Sequence, residues 1–174
     1  DAESRRLKEL GITLEIISFK RGSFSFVHDY KTIKRLKFII QKWRPTIVMH
    51  FHAKPVIFGT ILARLFLGDS VCIVNVITGL GNSFSSSLFG INISNILYRV
   101  VSNLATKTIF QNNDDKSLFL SNKLIPLHKS KLIVSSGVDI NHFKFIDRKN
   151  KINKKPIVLI ISRLLKQKGI LEFI

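Results

Sequence analysis

The chain is poor in cysteine, tryptophan and methionine, with one of each in 174 residues. A single cysteine excludes an intramolecular disulfide and a multi-cysteine metal site. In "VCIVNVI" (71–77), Cys72 reads as a small buried hydrophobe. No basic stretch is followed by an apolar core and a small-residue cleavage site, so no secretory leader is read. The longest apolar run, "PVIFGTILARLFLG" (55–68), contains Arg64 and falls short of the ~20 residues a spanning helix needs. A soluble or peripheral protein is expected. Acidic residues are scarce too, 11 against 28 basic ones, for a net charge of +17. That excess attracts polyanions: nucleic acid, anionic lipid or diphosphate ligands. It does not choose among them.

What is present is enough for a core. Apolar residues make up 45% of the chain and 14 of them are Phe, which excludes disorder by composition. Apolar runs of strand length alternate with segments of helical period. "AESRRLKELG" (2–11) reads as the end of a helix stopped by Gly11, and "ITLEIISF" (12–19) as a strand. "DYKTIKRLKFIIQKW" (29–43) reads as a helix starting at Asp29, with an apolar stripe of Ile33, Leu36, Ile40 and Trp43. "TIVMHF" (46–51) is a strand and 55–68 a helix with Pro55 in its first turn. "VCIVNVI" is a strand buried on both faces. Residues 88–105 are a helix, 107–111 a strand, and Asn113 or Asp114 caps a helix to about Lys123. "KLIVSS" (131–136) is a strand.

This β–α repetition with short connections predicts a parallel sheet covered by helices. The expected organisation is one α/β domain over 1–146, a basic linker over 147–155, and the first strand and partial helix of a second α/β domain over 156–174. The domain opens within a helix, with no strand before it, and its first residue is Asp1 rather than Met. In a doubly wound domain the preceding strand carries a glycine-rich turn. A fragment of a longer protein is therefore expected.

Five stretches can carry chemistry. In "HFHAKP" (50–55), His50 and His52 share one face at the end of a strand, where open α/β sheets bind ligands. A ligand-facing His and a structural His bonded to backbone both remain open, and a zinc site lacks further ligands. "ITGLGNSF" (77–84) ends a strand in a turn with Thr78, Gly79, Leu80 and Gly81; Phe84 stands at the third glycine position of a dinucleotide fingerprint. It lines a ligand or is a tight turn. In "SSGVDINHF" (135–143), Ser136 and Gly137 follow a strand and structure alone explains the pattern. Arg163 and Lys168 lie between a strand end and a helix start, where an anion is favoured; two solvated charges are the plain alternative. Finally, the 29–43 helix carries Lys31, Lys34, Arg35, Lys37 and Lys42 with no acid after Asp29. It suits an anionic membrane surface, or is an ordinary solvated face.

Taken in order and spacing, "HFHAKP", "ITGLG", "IFQNNDD", "SSGVDINHF" and "ISRLLKQKGILEFI" resemble the bacterial family 4 glycosyltransferases, which have the two-domain GT-B fold. Within that family the chain looks most like transferases acting on undecaprenyl-diphosphate-linked sugars in surface-polysaccharide or glycan assembly. The resemblance implies a Rossmann-like acceptor-side domain without its first strand, then the start of the donor-side domain. It implies that His52 sits near the transferred sugar as the catalytic residue. His50, Thr78, Gly79, Leu80, Gly81, Ser136 and Gly137 would line the cleft. Arg163 and Lys168 would hold the diphosphate of a nucleotide-sugar donor, a UDP-sugar, and stabilise the departing nucleoside diphosphate. No metal and no cofactor are implied, and transfer would retain anomeric configuration. The basic first domain would face the inner surface of the cell membrane from the cytoplasm and take a lipid-linked acceptor.

The sequence departs from the family pattern in several places. The first glycine-rich loop is absent, Ser162 stands for a glycine before the arginine, and Ser136 for an asparagine. The paired glutamates of the donor pocket do not occur within these residues. The isolated chain is therefore expected to be inactive. The rival reading is a non-enzymatic basic module binding nucleic acid or anionic membrane. Against nucleic acid, the Phe residues lie in apolar runs rather than among Lys and Arg as stacking platforms.

Overall fold

Four short runs, three of them carrying β-branched residues, pair into one parallel sheet. The computed structural model describes residues 2–18, 26–79, 88–134, 137–145, 158–162, 164 and 168–173. The strands are β1 (Ile47–Phe51), β2 (Cys72–Ile77), β3 (Lys107–Phe110) and β4 (Ser130–Leu132), paired in the order β1-β2-β3-β4. Between them run α3 (Thr60–Leu67), α4 (Leu88–Leu104) and α5 (Asn113–Ser121); α1 (Ala2–Glu9) and α2 (Phe26–Trp43) precede β1. A wide π turn, Pro55–Gly59, leads into α3. Gly68 ends α3 at φ +67°, ψ −150°, a backbone conformation open only to glycine. The expected parallel sheet with helical crossovers is what forms. The chain divides into two compact units, Asp1–Ser136 and Gly137–Ile174.

Register assigns the faces. Val48 stands beside Ile73, His50 beside Asn75, Asn75 beside Thr108 and Ile77 beside Phe110. These side chains share one face. There Ile40, Leu62, Ala63, Val71, Ile73 and Ala105 form one buried cluster. Val56, Ile77, Tyr98, Val101, Phe110, Phe119, Leu124 and Ile125 form another. Phe119 meets the rings of Tyr98 and Phe110 edge-on at 5.1 and 5.0 Å. Burial, with the charge of Asp115 adding to it, pushes the Tyr98 hydroxyl up to about 12. The other face of β1 stays open: Ile47, Met49 and Phe51 are all exposed. Among the described residues, β1 lies at the edge of the sheet, bonded to β2.

Several boundaries differ from the sequence reading. Residues 12–18 form no strand. α2 starts at Phe26, so Asp29 is not its cap but a buried carboxylate in its first turn, paired with Lys54 at 2.7 Å. Trp43 leaves the apolar stripe and donates its indole N–H to Glu15 at 3.2 Å. The cap of α5 is Asn112, one residue before the expected choice: its Oδ1 accepts from the Asp115 N–H at 2.7 Å, and its Nδ2 donates to the Asp115 carboxylate at 2.8 Å. In the second unit, 158–162 form no strand, and the helix is a single turn, α6 (Ile170–Phe173).

Candidate functional site

The two histidines of "HFHAKP" have opposite surroundings. His50 lies on the covered face of β1 and bonds its register partner, with Nδ1 at 3.0 Å from Asn75 Oδ1. The Thr60 hydroxyl donates to the same oxygen at 2.9 Å. An amide oxygen only accepts, so with Asn75 Oδ1 facing the ring Nδ1 is the donor of this bond. Gly59 packs directly on the ring; a β-carbon there would collide with Nε2. Burial pushes the His50 imidazole below its ordinary range, against the Asn75 bond, which works upward. His50 is thus held neutral as a clamp among β1, β2 and the start of α3. Two further polar atoms are buried beside this clamp without a hydrogen-bond partner, Asn75 Nδ2 and Thr108 Oγ1.

His52 is exposed, just past the end of β1, with φ at +68°. A non-glycine residue in that region is uncommon, and such backbone strain gathers at functional sites. Its carbonyl accepts from Val56 N–H at 3.0 Å, which fixes the chain as it enters the π turn. Its Nδ1 lies 3.2 Å from the hydroxyl of Thr78, just past the end of β2. Gly79 follows at φ +134°. The structure therefore brings His52, Thr78 and Gly79 together at the C-terminal ends of two adjacent parallel strands, where open α/β sheets bind ligands. The ion pair of Lys54 with Asp29 ties this same turn to α2.

Leu80, Gly81, Ser136 and Arg163 lie outside the described residues. Gly137 (φ +75°) and Lys168 are exposed in the second unit. Three of the five cations on α2 have partners. Glu15 takes Arg35 at 2.8 Å and Lys42 at 2.9 Å. Lys37 sits over the Phe66 ring at 4.7 Å. The Lys42 bond, then the Trp43 bond, hold the Glu15 carboxyl below its ordinary range. Sequence reading missed this acid because it comes from the preceding segment rather than the helix. It also missed Asn75, Thr60 and Gly59; the one signal was a lone Asn inside the apolar run "VCIVNVI".

A groove of about 430 Å³ opens at the other end of the sheet, among Arg99, Asn103, Lys123 and Leu127. Arg99, in this groove, donates to the Asn122 carbonyl at the end of α5, and Lys129 to the Asn103 carbonyl at the end of α4. These cations complement helix termini rather than a ligand. Among the described residues, no three His, Cys, Asp or Glu side chains gather as a metal set. No described helix is long and apolar enough to cross a membrane.

No family model matches the chain. It is similar to the N,N'-diacetylbacillosaminyl-diphospho-undecaprenol alpha-1,3-N-acetylgalactosaminyltransferase of Campylobacter jejuni subsp. jejuni serotype O:2. The two are 26% identical over 189 aligned positions, covering 99% of this chain and 49% of the relative. The chain therefore spans about half the length of that curated relative. A crystal structure of Acinetobacter baumannii MurG overlaps 79% of this chain and 34% of its own, at 14% identity and a TM-score of 0.45. Across nearly its whole length, then, the chain is similar to a glycosyltransferase whose name specifies a diphospho-undecaprenol-linked sugar.

Proposed function

We propose that this chain is the acceptor-side part of a GT-B glycosyltransferase of family 4, which moves a sugar from a nucleotide sugar, a UDP-sugar, to a lipid-linked saccharide with retention of configuration. The observation that carries this is the likeness to the Campylobacter transferase across 99% of the chain. The geometry supports it: His52, with a strained backbone, stands with Thr78 and Gly79 where parallel strands present ligands. In this reading His52 contacts the transferred sugar. Residues 1–146 form the acceptor domain, 147–155 the linker and 156–174 the start of the donor domain. Arg163 and Lys168 neutralise the donor diphosphate, whose charge grows as it departs, so the cationic side chains take the part a metal ion would otherwise play. Lys31 and Lys34, for which no ion pair is found among the described residues, supply the attraction to the inner membrane surface.

We expect no turnover from these 174 residues by themselves, which span about half the length of the Campylobacter relative. Turnover of UDP-N-acetylhexosamine by the purified chain would contradict this. A binding comparison tests the wider proposal, using a short-chain polyprenyl-diphospho-N-acetylhexosamine, the same lipid diphosphate without sugar, and duplex DNA. We expect the sugar to improve binding at least about tenfold, or ~1.4 kcal/mol. We expect DNA binding to collapse between about 50 and 200 mM salt. Equal binding of both lipids, with DNA bound more tightly than either, would replace the enzyme reading with a basic binding module.

A further inference from the structure

We propose that Thr78 is the positioning residue for His52: its hydroxyl donates to Nδ1, which holds the neutral ring as the Nε2–H tautomer and presents Nε2–H as a hydrogen-bond donor to a sugar oxygen. This deepens the reading of His52 as the sugar-side residue and rests on it.

Three observations lead here. First, the Thr78 hydroxyl and His52 Nδ1 are 3.2 Å apart, and they come from the ends of two adjacent strands. Second, His52 is held in the left-handed backbone region, at φ +68°, with its carbonyl bonded to Val56 N–H. The backbone thus fixes where the ring starts and Thr78 fixes how it is turned. Third, the ring is exposed, so with Nδ1 engaged the nitrogen left for a ligand is Nε2. The bond made by one ring nitrogen sets the protonation of the other. His50, two residues earlier, is the internal contrast: its Nδ1 faces an amide oxygen and carries the proton. With Thr78 as the donor, the two histidines are opposite tautomers, one bracing the sheet and one donating outward. Thr78 supplies no charge and reaches no substrate in this account; it acts through His52.

The test is long-range proton–nitrogen correlation NMR on the 174-residue chain labelled in histidine, at about pH 8.5, two units above the ordinary imidazole range. We expect His52 to show one tautomer with Nε2 protonated, and His50 one tautomer with Nδ1 protonated. In Thr78→Val, His52 should show averaged side-chain couplings while His50 keeps its pattern; Thr78→Ser should restore His52. A protonated Nδ1 on His52, or couplings unchanged in Thr78→Val, would overturn the proposal. If Thr78→Val disturbs the fold, the His50 signal moves as well, and the wild-type pattern at His52 then decides alone. The measurement needs no substrate, so it fails or succeeds separately from the sugar-side reading, which stands on the binding comparison above.

Discussion

Two apolar runs of nearly the same composition meet different fates. "CIVNVI" (72–77) is β2, with β1 on one side and β3 on the other, and Ile73, Val76 and Ile77 are at most 5% exposed. "VLIIS" (158–162) forms no strand, and Val158, Leu159 and Ile161 are 74–87% exposed. Intrinsic β-propensity favours both. What separates them is neighbours. A strand is stabilised by ladder bonds and cross-strand packing, and among the described residues 158–162 belongs to no ladder. The segment 12–18 makes the same point inside the first unit: "ITLEIIS" reads as a strand and stays outside the sheet.

The largest expected effect tests that contrast by truncation. Phe110→Ala should cost about 3–5 kcal/mol of stability, because Phe110 is fully buried against Phe119. Leu159→Ala should stay within about 0.5 kcal/mol, as exposed positions do. Urea unfolding of the two variants gives both numbers. Comparable losses would show that 158–162 is packed after all.

Next comes the clamp. Asn75→Ala strands the His50 and Thr60 donors and should cost about 1–3 kcal/mol. Gly59→Ala drives a β-carbon into the His50 ring and should cost a similar amount, about 1–3 kcal/mol. Thermal melts that leave either variant at wild-type stability would remove the clamp from the account.

A pH effect follows from the same residue. His50 is depressed below 6.5 in the fold, chiefly by burial. The unfolded chain therefore takes up a proton first as pH falls, so this contribution to stability is complete above pH 6.5. It declines below that, by at most about 1.4 kcal/mol per pH unit, until the folded imidazole also protonates. Unfolding across that window checks it, and His50→Gln should flatten the slope. A wild-type profile that stays flat below 6.5 would mean that His50 is not held neutral.

The smallest effect lies on α2. Lys31→Glu with Lys34→Glu should change stability by less than about 0.5 kcal/mol. It should weaken adsorption to anionic vesicles by ~1 kcal/mol or more per lysine. Flotation that is unchanged would take this helix out of the membrane argument.

The parallel sheet was legible because β1 and β2 lie in apolar runs and the strands are separated by helices that start and stop on Pro, Gly and Asn; β4, Ser-Lys-Leu, carries little of that signal. Helix ends were less so. Asp29 looks like a cap in sequence, yet it is needed by Lys54, 25 residues away, and the helix begins before it. The location of the site was readable: two histidines after one apolar run and a Thr-Gly pair after the next. Their division of labour was not. It depends on register, which sets His50 against Asn75, and on a left-handed backbone at His52 that no residue type announces. Likewise the basic face of α2 looked free only because Glu15 comes from outside the helix.

The central claim is that the ends of β1 and β2 are where the sugar binds. It is tested most directly by titrating a short-chain polyprenyl-diphospho-N-acetylhexosamine in micelles into the nitrogen-15-labelled chain and mapping the shifts. Our account predicts saturable shifts at His52, Thr78 and Gly79, with affinity lowered about tenfold, ~1.4 kcal/mol, by His52→Ala. Shifts confined to Lys31 and Lys34, or an affinity that His52→Ala leaves unchanged, would contradict it.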